Sequence, residues 1–304
     1  MKKLYSIEIN DVNSRIDRWI RRNICQITQS LMEKNLRKGN IKINNKKIIS
    51  SYKLKKNDQV TLINFNFSSY KTKEKQNIYT PTKKDLVSSN SLFIENNENF
   101  VVINKPAGIA VQSGTKSRRN IIDIIRKTKE FKDNTPYTVH RIDKDTTGIL
   151  IVAKNRTYAQ LFTSLFRIRK IHKTYLGIVI GNLQKNKGTF VDILSHYEGE
   201  KRVKSKAITH FKVLDNNNNY SLLNLNPETG RKHQLRKQLL LHGHPILGDS
   251  KYRFSDNLYS KKNFLHLHAY KINFSINGIK YNFSALPPIN FLNTLKEKYL
   301  KIYQ

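Results

Sequence analysis

Three stretches with different hydrophobic rhythms divide the chain. Over residues 14–25 and 28–38 apolar side chains return at three- and four-residue steps (Ile16, Trp19 and Ile20; Leu31 and Leu36), which predicts two short helices. Gly39 supplies the second stop, because a glycine just past the last turn takes the left-handed backbone that ends a helix. Residues 41–43 then alternate apolar with polar, Asn44-Asn45 makes a turn, and residues 60–63 read as a further strand. Residues 1–68 are therefore expected to form a small α/β domain. Residues 69–88 are polar and rich in Lys, with Pro81 in the middle, and read as a linker.

Residues 89–304 carry a strand-rich pattern. It opens with a hairpin: residues 92–94, a polar turn at 96–99, and residues 100–103. Further strands are expected at 148–153, 174–180, 209–214 and 220–225, with the four asparagines at 216–219 as the turn between the last two. Helical patterns fall at 120–127, 158–167, 233–242 and 290–300. Many strands at hairpin spacing with scattered helices predict an α+β fold around a mixed, mainly antiparallel sheet. No internal repeat of 20–50 residues interrupts this reading.

Composition changes the picture through the sign of the charge. Apolar residues are 38% of the 304, enough for one or two cores, and charged residues at 26% are ordinary. Yet 56 Lys+Arg face 22 Asp+Glu, a net charge of +34. That imbalance favours a polyanionic partner, nucleic acid first; biased usage of Lys, Asn and Ile is the alternative. Residues 1–85 hold 20 basic and 7 acidic residues, so the excess is denser there but is not confined to a tail. On the two predicted helices Arg18, Arg21, Arg22, Lys34, Arg37 and Lys38 fall mostly off the apolar stripe. Such a face suits RNA, and it equally suits plain solvation.

Several classes drop out. No apolar run approaches the roughly 18 residues of a membrane span; Ile149-Leu150-Ile151-Val152-Ala153 has core-strand length. The first residues hold no stretch apolar enough for a signal peptide. The single cysteine, Cys25, excludes an intramolecular disulfide and a cysteine-based zinc finger, and fits a reducing cytoplasm. Neither a Walker-type loop nor G-x-G-x-x-G occurs, so a nucleotide cofactor has no support.

Three polar clusters remain. His140-Arg141-Ile142-Asp143-Lys144-Asp145-Thr146-Thr147-Gly148 leads directly into an apolar strand, a place where a scaffold can hold a carboxylate rigidly. A purely structural loop, with Asp143 or Asp145 capping a turn, is the other reading. In Thr229-Gly230-Arg231-Lys232-His233-Gln234-Leu235-Arg236 the two arginines stand five apart and cannot share one helix face. One should face a partner and the other turn inward, where a buried guanidinium needs a carboxylate. The third cluster, His242, His244, Asp249, His266 and His268, invites a metal reading against the commoner one of hydrogen-bonding or stacking histidines.

At these residues the chain resembles the RluA/RluC/RluD-type pseudouridine synthases of large-subunit ribosomal RNA, the RluC branch most closely. The first cluster is similar to the family's H-R-L-D-x-x-T-S-G signature, and Lys105-Pro106-Ala107-Gly108 to its K-P-x-G loop. Residues 173–181, starting Lys173-Thr174-Tyr175, resemble its K-x-Y-x-A-x-V-x-G strand. Residues 229–236, followed by Gly243 to Asp249 and Tyr252, resemble T-G-R-x-H-Q-I-R and G-x-P-I-x-G-D-x-x-Y; Leu267-His268-Ala269 matches L-H-A. Residues 1–68 resemble the alpha-L RNA-binding fold. Ile142, Thr147, Gly177 and Gln238 depart from the usual Leu, Ser, Ala and His. The motifs run in the family's order over nearly the whole chain.

The resemblance implies a pseudouridine synthase fold and the isomerisation of uridines in 23S ribosomal RNA, by a monomer with no cofactor or metal. It assigns catalysis to Asp143, acting on the ribose as nucleophile or base, with Asp145 nearby as a structural control. Arg236 is implied as the salt-bridge partner of Asp143, and Tyr175 as the ring that stacks on the target base and is placed to take the C5 proton. Arg141 is implied to enter the stack that the flipped uridine vacates, and His140 to support the loop. Arg231 and Lys232, with Arg18, Arg22, Arg37 and Lys38 of the small domain, are expected on RNA phosphates. A non-catalytic ribosome-assembly factor and a metal-dependent RNA hydrolase are the competing readings.

Overall fold

The computed structural model describes residues 2–8, 11–25, 27–63, 79–113, 118–132, 134–198, 201–254 and 264–302. The chain divides into two compact units, Met1–Ile78 and Tyr79–Gln304.

In the first unit the elements are β1 (Lys2–Ser6), α1 (Ile16–Asn23), α2 (Gln29–Lys38), β2 (Ile41–Ile43), β3 (Lys46–Lys47) and β4 (Gln59–Ile63). The strands form an antiparallel sheet in the order β1-β4-β2-β3. Ile16 and Ile20 of α1 and Met32 and Leu36 of α2 are buried in one core with Ile41, Leu54 and Leu62. The helical spacing of the apolar residues is thus satisfied by packing on a sheet. Gly39 ends α2 with φ +76. Asn44 and Asn45 both take positive φ, the conformation that lets a two-residue turn follow the twist of its strands. Arg18, Arg22, Lys34, Arg37 and Lys38 are exposed; Arg22 also bonds Asp11, and Arg21 donates to the Ile27 carbonyl at 2.9 Å.

The second unit continues with α3 (Lys83–Ser89), β5 (Phe93–Asn96), β6 (Phe100–Lys105), α4 (Ile121–Ile125), β7 (Tyr137–Thr138), β8 (Thr147–Ala153), α5 (Arg156–Arg167), β9 (His172–Ile180), β10 (Lys187–Glu198), β11 (Lys201–Asn216), β12 (Tyr220–Pro227), α6 (Gln234–Leu241), β13 (Leu267–Ile276), β14 (Ile279–Ser284) and α7 (Ile289–Glu297). One sheet runs β10-β11-β12-β9-β13-β8-β6-β5, with β14 beside β13 and β7 beside β8. Its ladders are antiparallel except β13 with β8, so the fold is α+β on a mixed, mainly antiparallel sheet. Among the described residues no helix is long and apolar enough to cross a membrane.

The expected linker ends too late. Residues 64–78 lie outside the described residues, but from Tyr79 the chain belongs to the second unit, and α3 up to Ser88 falls inside the stretch read as linker. The buried Asp85 fixes it there: its carboxylate accepts from the Tyr79 hydroxyl at 2.6 Å and the Thr82 N–H at 3.0 Å, and pairs with Arg119. Polar composition hid these bonds.

Strand β8 explains why an unbroken apolar run was needed. All seven residues are buried. Leu150 and Val152 join a core with Val101, Ile103, Ile121 and Ile125, while Ile149 and Ile151 face Phe100, Val102 and Phe162. A central strand covered on both faces has no polar side to alternate. Gly148 marks where β8 meets β13: with φ +104, a Cβ there would stand 2.2 Å from the Ala269 carbonyl oxygen. The segment entering β8 is thereby fixed in position, and it carries Asp143.

Candidate active site

The Asp143 segment, between β7 and β8, is anchored from three sides. Lys105 at the end of β6 is fully buried, and its ammonium donates to the carbonyls of Pro106 at 2.7 Å, Ile109 at 3.0 Å and Lys144 at 2.9 Å. Three acceptors match the three donors of an ammonium. Burial lowers the group to about 7, opposed by the charges of Asp145 and Asp143. His140 accepts the Ile151 N–H through Nε2 at 2.8 Å and lies 4.6 Å from the Phe166 ring. Burial, helped by the charge of Lys173, holds it near 3, so the imidazole is neutral and can accept. On the third side Thr147 Oγ1 meets His268 Nδ1 at 2.8 Å. His268 Nε2 faces the Ala285 carbonyl at 2.9 Å, so Nε2 carries the hydrogen and Nδ1 accepts from Thr147. Burial lowers this histidine to about 4.

Helix α6 brings the second cluster to the same place. Its N-cap is His233, held in the left-handed region at φ +54. The two arginines diverge as their spacing requires: Arg231 is exposed, with Nε donating to the Lys206 carbonyl at 3.1 Å, and Arg236 is buried. Arg236 is not chiefly the partner of Asp143. It grips Asp249 with both Nε (2.7 Å) and Nη2 (2.8 Å), and reaches Asp143 Oδ2 only at 3.4 Å through Nη1. Burial opposes the charge on Asp249, but the bonds from Arg236 and the backbone N–H groups of Tyr252 and Lys251 outweigh it, and the carboxyl sits below its ordinary range.

A closed ring of side chains follows. The N–H of Tyr252 donates to Asp249 Oδ1 at 2.9 Å, its hydroxyl meets His233 Nδ1 at 2.9 Å, and His233 Nε2 lies 3.8 Å from Asp143 Oδ1. The Tyr252 ring also sits 5.1 Å from the Arg236 guanidinium carbon. Each oxygen of Asp143 therefore has its own neighbour, Arg236 on one and His233 on the other. Burial lowers His233 and Asp143 opposes this, while Arg236, Lys251 and Lys232 reinforce it, so the ring nitrogens hold one hydrogen between them near neutrality.

Asp143, Arg236 and Tyr175 border one cleft of about 780 Å³. Tyr175 stands on β9, and burial together with the charge of Asp143 pushes its phenol above the ordinary value. Arg141, Arg231 and Lys232 lie on the exposed margin of the same cleft. Arg18, Arg22, Arg37 and Lys38 belong to the first unit. Asp145 is exposed and Lys105 senses its charge.

The histidine cluster disperses. His242 faces Asp192 at 3.2 Å, His244 the Ile180 carbonyl, and His266 the Leu247 carbonyl and Thr294, while Asp249 is held by Arg236. Among the described residues no three His, Cys, Asp or Glu side chains gather as a metal site. Sequence reasoning gave Asp249 to that cluster and overlooked His233 as a neighbour of Asp143. The usable signal was the buried arginine: once Arg236 turns inward it needs more carboxylate oxygens than Asp143 alone supplies.

Comparison with known proteins places this geometry. The family described as RNA pseudouridylate synthase matches residues 99–241. The Ribosomal large subunit pseudouridine synthase C of Rickettsia felis is 32% identical over 307 residues, covering 96% of this chain and 99% of the relative. That of Buchnera aphidicola subsp. Baizongia pistaciae is 31% identical over 300 residues, 94% of each chain. Among solved structures, Human RNA Pseudouridylate Synthase Domain Containing 4 superposes with a TM-score of 0.63 at 25% identity, over 73% of this chain and 99% of that one. With a cleft carboxylate, a buried arginine and a cleft tyrosine on this sheet, and relatives that match it end to end, the chain belongs to the RNA pseudouridylate synthase family and is an isomerase of RNA.

Proposed function

We propose that this protein converts specific uridines of 23S ribosomal RNA to pseudouridine, with Asp143 as the catalytic carboxylate. The observation that carries the reading is the position of Asp143: in a cleft, with Arg236 at 3.4 Å from one oxygen and His233 at 3.8 Å from the other. An oriented carboxylate beside a stacking aromatic is what cleavage of the bond between uracil N1 and ribose C1′ requires. The relatives named above act, by their names, on the large ribosomal subunit, and this supports the same RNA class here.

The reaction breaks N1–C1′, turns the freed uracil, and forms C5–C1′; one proton leaves C5 and one arrives at N1. Asp143 serves as nucleophile at C1′ or as base toward the ribose, and both roles begin from the same carboxylate. Tyr175 stacks on the uracil, which suits a base that must rotate, because a ring face holds without fixing an edge. As a neutral phenol it takes the C5 proton only while giving up its own, so it acts as a relay. Arg236 holds Asp143 in place through the 3.4 Å contact to Oδ2. The target uridine must leave its helix, at a few kcal/mol, and Arg141 on the cleft margin is placed to enter the gap.

Arg231 and Lys232 bind phosphates beside the cleft, and the exposed Arg18, Arg22, Arg37 and Lys38 make the first unit an RNA-binding module of the alpha-L type. We read the protein as acting as a monomer, and the buried free Cys25 suits the cytoplasm. The test is Asp143→Asn on deproteinised, unmodified 23S RNA. Pseudouridine formation should vanish while RNA binding persists; a variant that stays active refutes the assignment.

A further inference from the structure

The end of α5, the turn after it and the start of β9 carry Arg167, Arg169, Lys170, His172 and Lys173, a basic run that none of the roles above absorbs. Arg167 closes the last turn of α5. Arg169 follows at φ +58, a left-handed conformation that non-glycine residues adopt at a cost and that often marks functional sites. Arg167, Arg169 and Lys173 line the active cleft, whereas their neighbour Lys170 is exposed and does not. Lys173 enters β9 two residues before Tyr175, so both side chains stand on the same face of the strand.

Among the described residues none of Arg167, Arg169 and Lys173 forms an ion pair with a carboxylate. Lys173 is half-buried, burial alone weakens its charge, and the titratable neighbour that feels it is the neutral His140. A partly desolvated ammonium without a counter-ion is unfavourable in the free protein and becomes favourable when an anion enters. The cleft's other basic margin, Arg231 and Lys232, comes from a separate element before α6. A flipped nucleotide has one phosphate on each side, and the cleft draws its cations from two separate elements.

We propose that Arg167, Arg169 and Lys173 form a phosphate-binding wall that holds the RNA backbone on one side of the flipped uridine, with Lys173 taking the phosphate nearest Tyr175. The proposal rests on the cleft being the RNA site. Arg167 and Arg169 supply planar forks suited to phosphate oxygens, and Lys173 supplies a point charge where burial excludes water.

The experiment measures Kd for unmodified 23S RNA against salt, using the full-length protein. Each lost phosphate contact should lower the slope of log Kd against log salt by about 0.7–0.9. Arg167→Gln/Arg169→Gln should therefore lower it by roughly twice that and raise KM, while Lys170→Gln leaves both at the parent values. Equal losses from Lys170→Gln would show a diffuse charge effect and overturn the wall, as would an unchanged slope in the double variant. Lys173→Met adds a second readout. It should raise the Tm of the free protein while weakening RNA affinity; a fall in Tm would mean a structural role and sink the assignment of Lys173. If the parent protein forms no pseudouridine, the functional reading fails; if it does and the slopes do not move, only this inference fails.

Discussion

Arg236 is bound by two short hydrogen bonds to Asp249 and by one longer contact to Asp143, so the residue that orients the cleft carboxylate is itself oriented by a second, fully buried one. The two aspartates consequently have separable roles. Asp249 satisfies most of the guanidinium's charge and geometry, and Asp143 keeps lone pairs free for substrate.

Replacing each aspartate should separate these roles. Asp249→Asn leaves the buried Arg236 against a neutral amide, with the more distant Asp143 as its charged neighbour, and breaking a buried pair costs about 3–5 kcal/mol. Denaturant unfolding should show a loss of that order, with activity falling as Arg236 loosens. Asp143→Asn removes the longer contact of a partly exposed group, so its unfolding midpoint should stay near the parent value while activity disappears. Equal destabilisation by the two variants would contradict the division.

His233 should act through Asp143. Its Nε2 is 3.8 Å from Asp143 Oδ1 and its Nδ1 is tied to Tyr252, so the imidazole steadies the oxygen that Arg236 does not touch. His233→Ala should lower kcat by about tenfold to a hundredfold, in the range of lost supporting contacts, with KM little changed. His233→Gln, which can still donate toward Asp143, should recover part of the loss. A change in KM alone would place His233 on RNA binding.

Much of this site was legible in the sequence, for identifiable reasons. The unbroken apolar run of β8 marks a strand covered on both faces, and the polar segment before it had to be the loop that carries Asp143. The five-residue spacing sent Arg231 outward and Arg236 inward. What local pattern could not give was the pairing of Arg236 with Asp249, because it depends on where a separate turn docks. Two of the missed strands have another cause. Strand β1 alternates exposed with half-buried residues, and β10 is an edge strand with Val191 and Ile193 turned outward, so neither shows a core-facing run. Residues 79–88 look like linker because polar bonds to Asp85 hold them, with the Tyr79 ring packed on the core.

Stability should depend on pH through His140. Burial keeps this imidazole near 3, far below the 6.5 of an unfolded histidine. The folded state therefore binds fewer protons, and its advantage is complete above about 6.5 and lost as pH falls toward 3. Burial lowers His268, to about 4, and it adds in the same direction. Thermal unfolding should show Tm falling across this acid range. His140→Gln, whose amide oxygen can accept the Ile151 N–H without titrating, should flatten part of that fall. An unchanged slope would mean that His140 does not carry it.

Tyr175 offers the sharpest separation of binding from chemistry. In the proposed mechanism its ring and its hydroxyl have different tasks: the ring face stacks on uracil, and the hydroxyl relays a proton. Burial and the Asp143 charge keep the phenol neutral at any working pH, so no acidic or basic limb of the rate profile should belong to it. Tyr175→Phe keeps the stacking surface and removes the relay. KM should stay close to the parent value, and kcat should fall by about 10²–10⁴, the usual contribution of a positioned acid–base group. Tyr175→Ala should lose both, with weaker RNA binding by about 1–3 kcal/mol for the missing stack. Steady-state kinetics on unmodified 23S RNA read the split directly. Full activity in Tyr175→Phe would leave the ring as the whole contribution and assign the C5 proton to another group in the cleft.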